Sequence, residues 1–182
     1  MDDLAEKLGC SKKTLYVYYE NRADLVSKVI TQDMDDHYDD IQSIIDQNLN
    51  PIDEFFSLNQ VDLKKIKTIH PSAQYDLKKY YPEAWKVFDL VIKQRGFDLT
   101  LNNLKKGIDC GFYRSEINPE IMARILSEKL ELIFNGDLFQ SHLISFPQVY
   151  QELMTHYMLG VVSEKGRTYF LNHHSNIFLT HE

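Results

Sequence analysis

Six side chains in one short stretch carry groups suited to a polyanion: Ser11, Lys12, Lys13, Thr14, Tyr16 and Tyr18. Hydroxyls and phenols donate to phosphate oxygens, ammonium groups pair with them, and the same groups can reach base edges in a groove. Arg22 adds a guanidinium shortly afterwards, and its planar fork matches a phosphate. A solvated amphipathic turn with two ordinary surface lysines would have the same composition, so residue types alone leave both readings open.

The residues needed for catalysis are not assembled elsewhere. There is no HExxH, no phosphate-cradling glycine loop and no GxSxG, the patterns that place a metal, a nucleotide or a nucleophile. Cys10 and Cys110 stand far apart without a CxxC pairing or a neighbouring base, which is a reduced, cytosolic pattern. Asp33, Asp36, His37 and Asp40 lie within one helical face and could hold a cation, but such a face is more often simply solvated. Of the seven histidines, only His173 and His174 are adjacent. The sequence therefore predicts no catalytic residues, no metal and no cofactor.

Charge narrows the partner. The chain has 182 residues and a formal net charge of −7, yet residues 1–30 hold five Lys or Arg and five Asp or Glu. A neutral head with local basic spots thus precedes an acidic body. That excludes a generally sticky nucleic-acid binder but not a local positive face. No apolar stretch is long enough to span a bilayer, and the acidic start Met1-Asp2-Asp3 lacks the apolar region of a secretory signal. A cytoplasmic protein without a membrane partner is expected.

The elements that must position the polar stretch are helices. Gly and Pro together contribute 12 residues, too few for a turn-rich β fold. Each of the five prolines precedes a run of helical period, and Asn50-Pro51 and Asn118-Pro119 put a capping Asn before a first-turn Pro. Helices are predicted over about 51–69, 72–80, 82–108, 119–138 and 147–163. Met34, Tyr38, Ile41 and Ile45 continue the period through the acidic stretch. The fold class expected is all-α, with residues 1–30 as a short head and 31–182 as a helical body. The structure of about 165–182 is left open.

Within the head, Leu4, Ala5 and Leu8 form the inner side of a short helix that Gly9 stops. Ser11 caps a second helix from Lys12 to about Tyr18, with Leu15 inward. Asn21 caps a third, with Asp24 in a shortened capping box and Leu25, Val29 and Ile30 inside. Two short helices around a Gly-containing turn follow the helix-turn-helix plan, whose second helix enters the major groove.

The run LAEKLGCSKKTLYVYYENRADLV closely resembles the head of TetR-family transcriptional regulators: an Ala in the first helix of the pair, Gly-x-Ser, Thr-Leu-Tyr, a Tyr-aromatic pair and a basic residue opening the next helix. The resemblance implies that Ser11, Lys12, Lys13, Thr14, Tyr16, Tyr18 and Arg22 form the face for double-stranded operator DNA. Tyr16, Thr14 and Arg22 would take phosphates, and Lys12, Lys13 and Tyr18 would lie closer to the bases. Tyr19 stands at a buried aromatic position where the family more often has Phe. The chain also departs from the family. Met1 falls at the start of the second family helix, so the sequence reads as a head lacking the first. A rival expectation follows from that departure, a ligand-binding or interaction dimer that no longer reads DNA.

Behind the head, the resemblance implies a homodimer and an unknown small-molecule effector. The dimer face is expected on the last long helices, with Met122, Ile125, Leu126, Ile133 and Phe134 on one and Val149, Leu153, Met154, Tyr157 and Val161 on the other. An effector pocket is expected among the middle helices, walled by Phe55, Phe56, Tyr75, Trp85, Phe88 and Ile92 and anchored by His37, Tyr75 or Arg95. Cys110-Gly111-Phe112-Tyr113-Arg114 resembles the family's turn into its eighth helix, and Tyr157–Gly166 more weakly the closing segment of some members. Ligand control would then be linkage, with the effector favouring a head separation that does not match two half-sites.

Overall fold

The computed structural model describes residues 1–68, 71–135 and 145–174. Among them the chain is helical, and its only sheet-like pairing is an isolated antiparallel bridge between Tyr113 and Val162. The helices are α1 (Asp2–Lys7), α2 (Lys12–Tyr18), α3 (Arg22–Ile45), α4 (Pro51–Thr68), α5 (Pro71–Tyr80), α6 (Pro82–Asp109), α7 (Pro119–Asn135), α8 (Phe146–Val161) and α9 (Glu164–His174). Every proline lies in the first turn of its helix, where its missing N–H has no intrahelical partner to lose. Asn50 Oδ1 accepts from the N–H groups of Ile52 and Asp53, both at 3.0 Å. Asn118 Oδ1 does the same for Glu120 and Ile121. The stretch left open from 165 begins as α9.

The chain forms two compact units, residues 1–39 with 70–91 and residues 40–69 with 92–182. This differs from the division expected at residue 30. Helix α3 continues unbroken through that point, so no linker separates a head from a body there.

In the first unit α1 packs against α2. Gly9 follows α1 with φ +63°, the left-handed geometry that lets the chain turn without a Cβ clash. Ala5 and Leu15 are the buried apolar residues of this two-helix element. Leu8 and Val29, expected inside, are instead 62% and 55% exposed, because none of the described residues covers them.

The second unit holds the main core. Helix α8 packs on α4 and on α7, enclosing Ile52, Phe55, Phe56, Leu104, Leu126, Met154, Met158, Val161 and Phe170. The α6–α7 turn is tied to the α8–α9 junction by Arg114 N–H to Val161 O and Ser163 N–H to Phe112 O, both at 2.9 Å. These approaches leave no room for side chains at two glycines. A Cβ on Gly107 would sit 2.0 Å from the Tyr113 ring, and one on Gly166 would sit 2.0 Å from Phe112 O.

Several polar groups buried in this core are paired with residues distant in sequence, whereas the buried Tyr157 OH has no hydrogen-bond partner among the described residues. Asn103 Nδ2 donates to Pro51 O and Glu54 Oε1, both at 2.9 Å, while Tyr113 OH donates to Pro51 O at 3.0 Å. Burial, with the nearby Tyr157 and Glu54, pushes the Tyr113 phenol well above its ordinary value. Tyr150 OH lies 2.9 Å from both Asn59 Oδ1 and Asp62 Oδ2. Helix α9 docks on the start of α4. There Tyr169 OH donates to Asp53 Oδ2 at 2.7 Å and His174 Nε2 lies 2.7 Å from Asp53 Oδ1. The His174 ring stacks on Phe56, centroids 4.4 Å apart.

Candidate nucleic-acid interface

Helix α2 exists because both of its ends are held locally. At its start, Ser11 Oγ accepts from Thr14 N–H at 3.0 Å and lies 2.8 Å from Thr14 Oγ1. At its end, Lys28 of α3 donates to Tyr18 O at 3.2 Å, with its ammonium 5.5 Å from the centre of the Tyr19 ring. The same ammonium pairs with Asp24 Oδ2 at 3.0 Å. Asp24 also completes the start of α3, for its N–H donates to Asn21 Oδ1 at 2.9 Å and its Oδ2 accepts from Glu20 N–H at 3.0 Å. The capping box therefore reaches one residue further back than its simplest form. The Asp24 carboxyl is held below its ordinary value by the hydrogen bond from Lys28 first and the Glu20 N–H next.

With Leu15 turned inward, the other face of α2 is open. Lys12, Lys13, Tyr16 and Tyr18 are exposed, and so is Arg22 at the start of α3. Ser11 and Thr14 are exposed too, but their hydroxyls are already engaged with each other and with the helix start. Val17, which the sequence reading passed over, is 74% exposed on the same helix. Tyr19, expected buried, is half-buried under Lys28. The sequence reading also missed Lys28 as the residue that holds the end of α2. The available signal was a cation placed to meet free carbonyls at a helix C-terminus. The face combines ammonium, guanidinium and phenol groups at helical spacing, a composition suited to phosphates and base edges.

The residues proposed as an effector pocket fall in both units. Phe55 and Phe56 form an edge-to-face pair, centroids 5.6 Å apart, inside the second-unit core, so their surfaces are already covered. Trp85 and Phe88 pair at 5.5 Å in the first unit, and Lys78 lies 4.6 Å from the Trp85 ring centre. Tyr75 is exposed with Lys79 beside its ring. His37 is half-buried in the first unit, Arg95 half-buried in the second. The side chain of Ile92 lies outside the described residues.

The proposed dimer residues divide in the same way. Leu126, Val149, Met154, Tyr157 and Val161 are buried within the chain's own second unit, so they have little surface left for a partner. Ile125 is 38% exposed, Met122 and Leu153 are half-buried, and the side chains of Ile133 and Phe134 lie outside the described residues. Beside Ile125 an open groove of about 500 Å³ runs between α6 and α7, lined by Phe97, Leu101, Glu120, Ile121, Arg124 and Ile125. Arg124 lies over the Phe97 ring, 4.5 Å from its centre.

Among the described residues no helix is long and apolar enough to cross a membrane. No established family model matches the chain. The chain is similar to the uncharacterized HTH-type transcriptional regulator YvaF of Bacillus subtilis strain 168, with 23% identity over 169 residues, 91% of this chain and 86% of the relative. Its fold is similar to that of the ketosteroid transcriptional regulator KstR2 of Mycobacterium tuberculosis, with a TM-score of 0.60, 16% identity, and coverage of 90% and 84% of the two chains. The proteins that this all-helical chain is similar to are thus transcriptional regulators, a class without enzymatic activity.

Proposed function

We propose that this chain is a TetR-type transcriptional regulator that binds operator DNA through α2, acts in the cytoplasm as a homodimer, and changes its affinity when a small effector binds. The observation that carries the reading is the α2 face, where Lys12, Lys13, Tyr16 and Tyr18 point to solvent from a helix anchored by Leu15. A likeness to a helix-turn-helix regulator along most of the chain supports it. Two heads related by a twofold axis would read a pseudo-palindromic site. The groove flank of α7, where Ile121 and Ile125 are exposed, is the surface we propose for the second copy. Effector control requires only that the ligand favour one of two head spacings.

The test is fluorescence anisotropy with DNA from upstream of the coding sequence, against excess random duplex. Competitor-resistant binding is expected. Tyr16→Ala is expected to weaken binding to specific and random DNA alike, because a phosphate contact carries no sequence information. Wild-type protein that cannot outlast random competitor on any upstream fragment would favour the ligand-binding dimer without DNA recognition.

A further inference from the structure

The α2 face does not offer all of its cations freely. Lys12 Nζ donates to Asp2 Oδ2 at 2.9 Å, across from the first turn of α2 to the first turn of α1. Both side chains remain solvated, 47% and 75% exposed. Among the described residues Lys13 and Asp3, their immediate neighbours, make no such pair. The charge state of the pair is secure near neutrality. The hydrogen bond from Lys12 is the largest influence holding the Asp2 carboxyl below its ordinary value, and its counterpart from Asp2 raises the Lys12 ammonium.

A carboxylate oxygen at this distance offers an ammonium what a phosphate oxygen offers, a charged acceptor for a short hydrogen bond. We propose that Asp2 is an intramolecular competitor for DNA phosphate, occupying Lys12 in the free protein so that DNA must displace it. The inference rests on reading α2 as the DNA-binding face. Displacement is cheap, because an exposed ion pair contributes little and is screened by salt. It is also blind to sequence, because it acts on an ammonium before any base is read. Its effect is to remove one cation from the head's encounter with DNA of any sequence. A chain whose residues 1–30 carry balanced charge then has a weaker hold on non-specific DNA than its lysine count suggests.

The experiment compares the full chain with Asp2→Asn and Asp3→Asn on a random-sequence duplex across a salt series. The two variants change net charge equally, and only the first frees Lys12. Asp2→Asn is expected to raise affinity about two- to five-fold, the range of one exposed ion pair. It should also steepen the plot of log K against log salt by about 0.9, one phosphate contact, while Asp3→Asn does less on both counts. In a Lys12→Gln background the Asp2→Asn gain should disappear. Equal gains from the two Asn variants, or a gain that survives Lys12→Gln, would show a general charge effect and overturn the proposal. Salt-independent or absent binding by every variant would instead remove the DNA reading, and this competition with it. The two failures are therefore distinguishable.

Discussion

The two-helix element at the start of the chain and the second unit are built on opposite terms. Helices α1 and α2 bury Ala5 and Leu15 and leave Leu8 and Val17 largely in solvent. The second unit buries an apolar core drawn from five helices and pairs its buried Asn59, Asn103 and Glu54 with partners 49 to 91 residues away. In the first case order comes from caps and turns that cost little to break, such as Ser11 on Thr14 and Lys28 on Tyr18. In the second it comes from excluded water and satisfied polar groups, which give way together. The proposed DNA face thus sits on a helix that buries a single apolar side chain, while the proposed dimer flank sits on a helix packed into the second-unit core.

The largest expected effect lies in the second unit. Phe170 is fully buried, with its ring centroid 5.3 Å from that of Phe56. Phe170→Ala should cost about 3–5 kcal/mol, as truncation of a buried aromatic does, measured by denaturant unfolding. A loss below about 1 kcal/mol would show that α9 is peripheral and that the second unit is less cooperative than its packing implies. Next comes Leu15→Ala, expected to cost about 2–3 kcal/mol locally. Hydrogen exchange should show lost protection in α1 and α2 with α8 unchanged, and equal loss in α8 would mean that the two regions unfold as one.

Ser11→Ala removes one capping acceptor and should cost about 1 kcal/mol of α2 stability, read as faster exchange at the Thr14 amide. The smallest effect is in acid. Burial works to raise the Asp53 carboxyl, but hydrogen bonds from Tyr169, His174 and Asn50 outweigh it and hold the carboxyl below its ordinary value of 3.8. Its contribution is therefore present above about pH 3.8 and fades as pH falls through the lower folded value. Asp53→Asn should flatten that part of the stability-against-pH curve. An unchanged curve would place the acid sensitivity of the second unit elsewhere.

Much of the architecture was legible in the chain. First-turn prolines, capping Asn50 and Asn118, Ser11 before Lys12 and Gly9 after α1 each act within one helical turn, so residue order is enough to read them. The open α2 face was legible for the same reason, since Leu15 and the polar residues around it are separated by helical period alone. Asp2 as the partner of Lys12 was not, because the contact joins two helices through a turn whose geometry the sequence leaves open.

The dimer and effector residues mark the limit. Leu126 and Ile125 are adjacent, equally apolar and on the same predicted helix, yet one is 3% exposed and the other 38%. Periodicity shows that a helix has an apolar face, but that face was wide enough to serve both an internal core and a second copy. Likewise Phe55 and Phe56 read as pocket walls until the core of the second unit enclosed them. The sequence by itself determined the helices, their ends and the polar face of α2, because local backbone energetics decide these. Only the tertiary structure decided which apolar surface is already covered and which buried polar groups find partners, because those depend on packing between residues far apart in the chain.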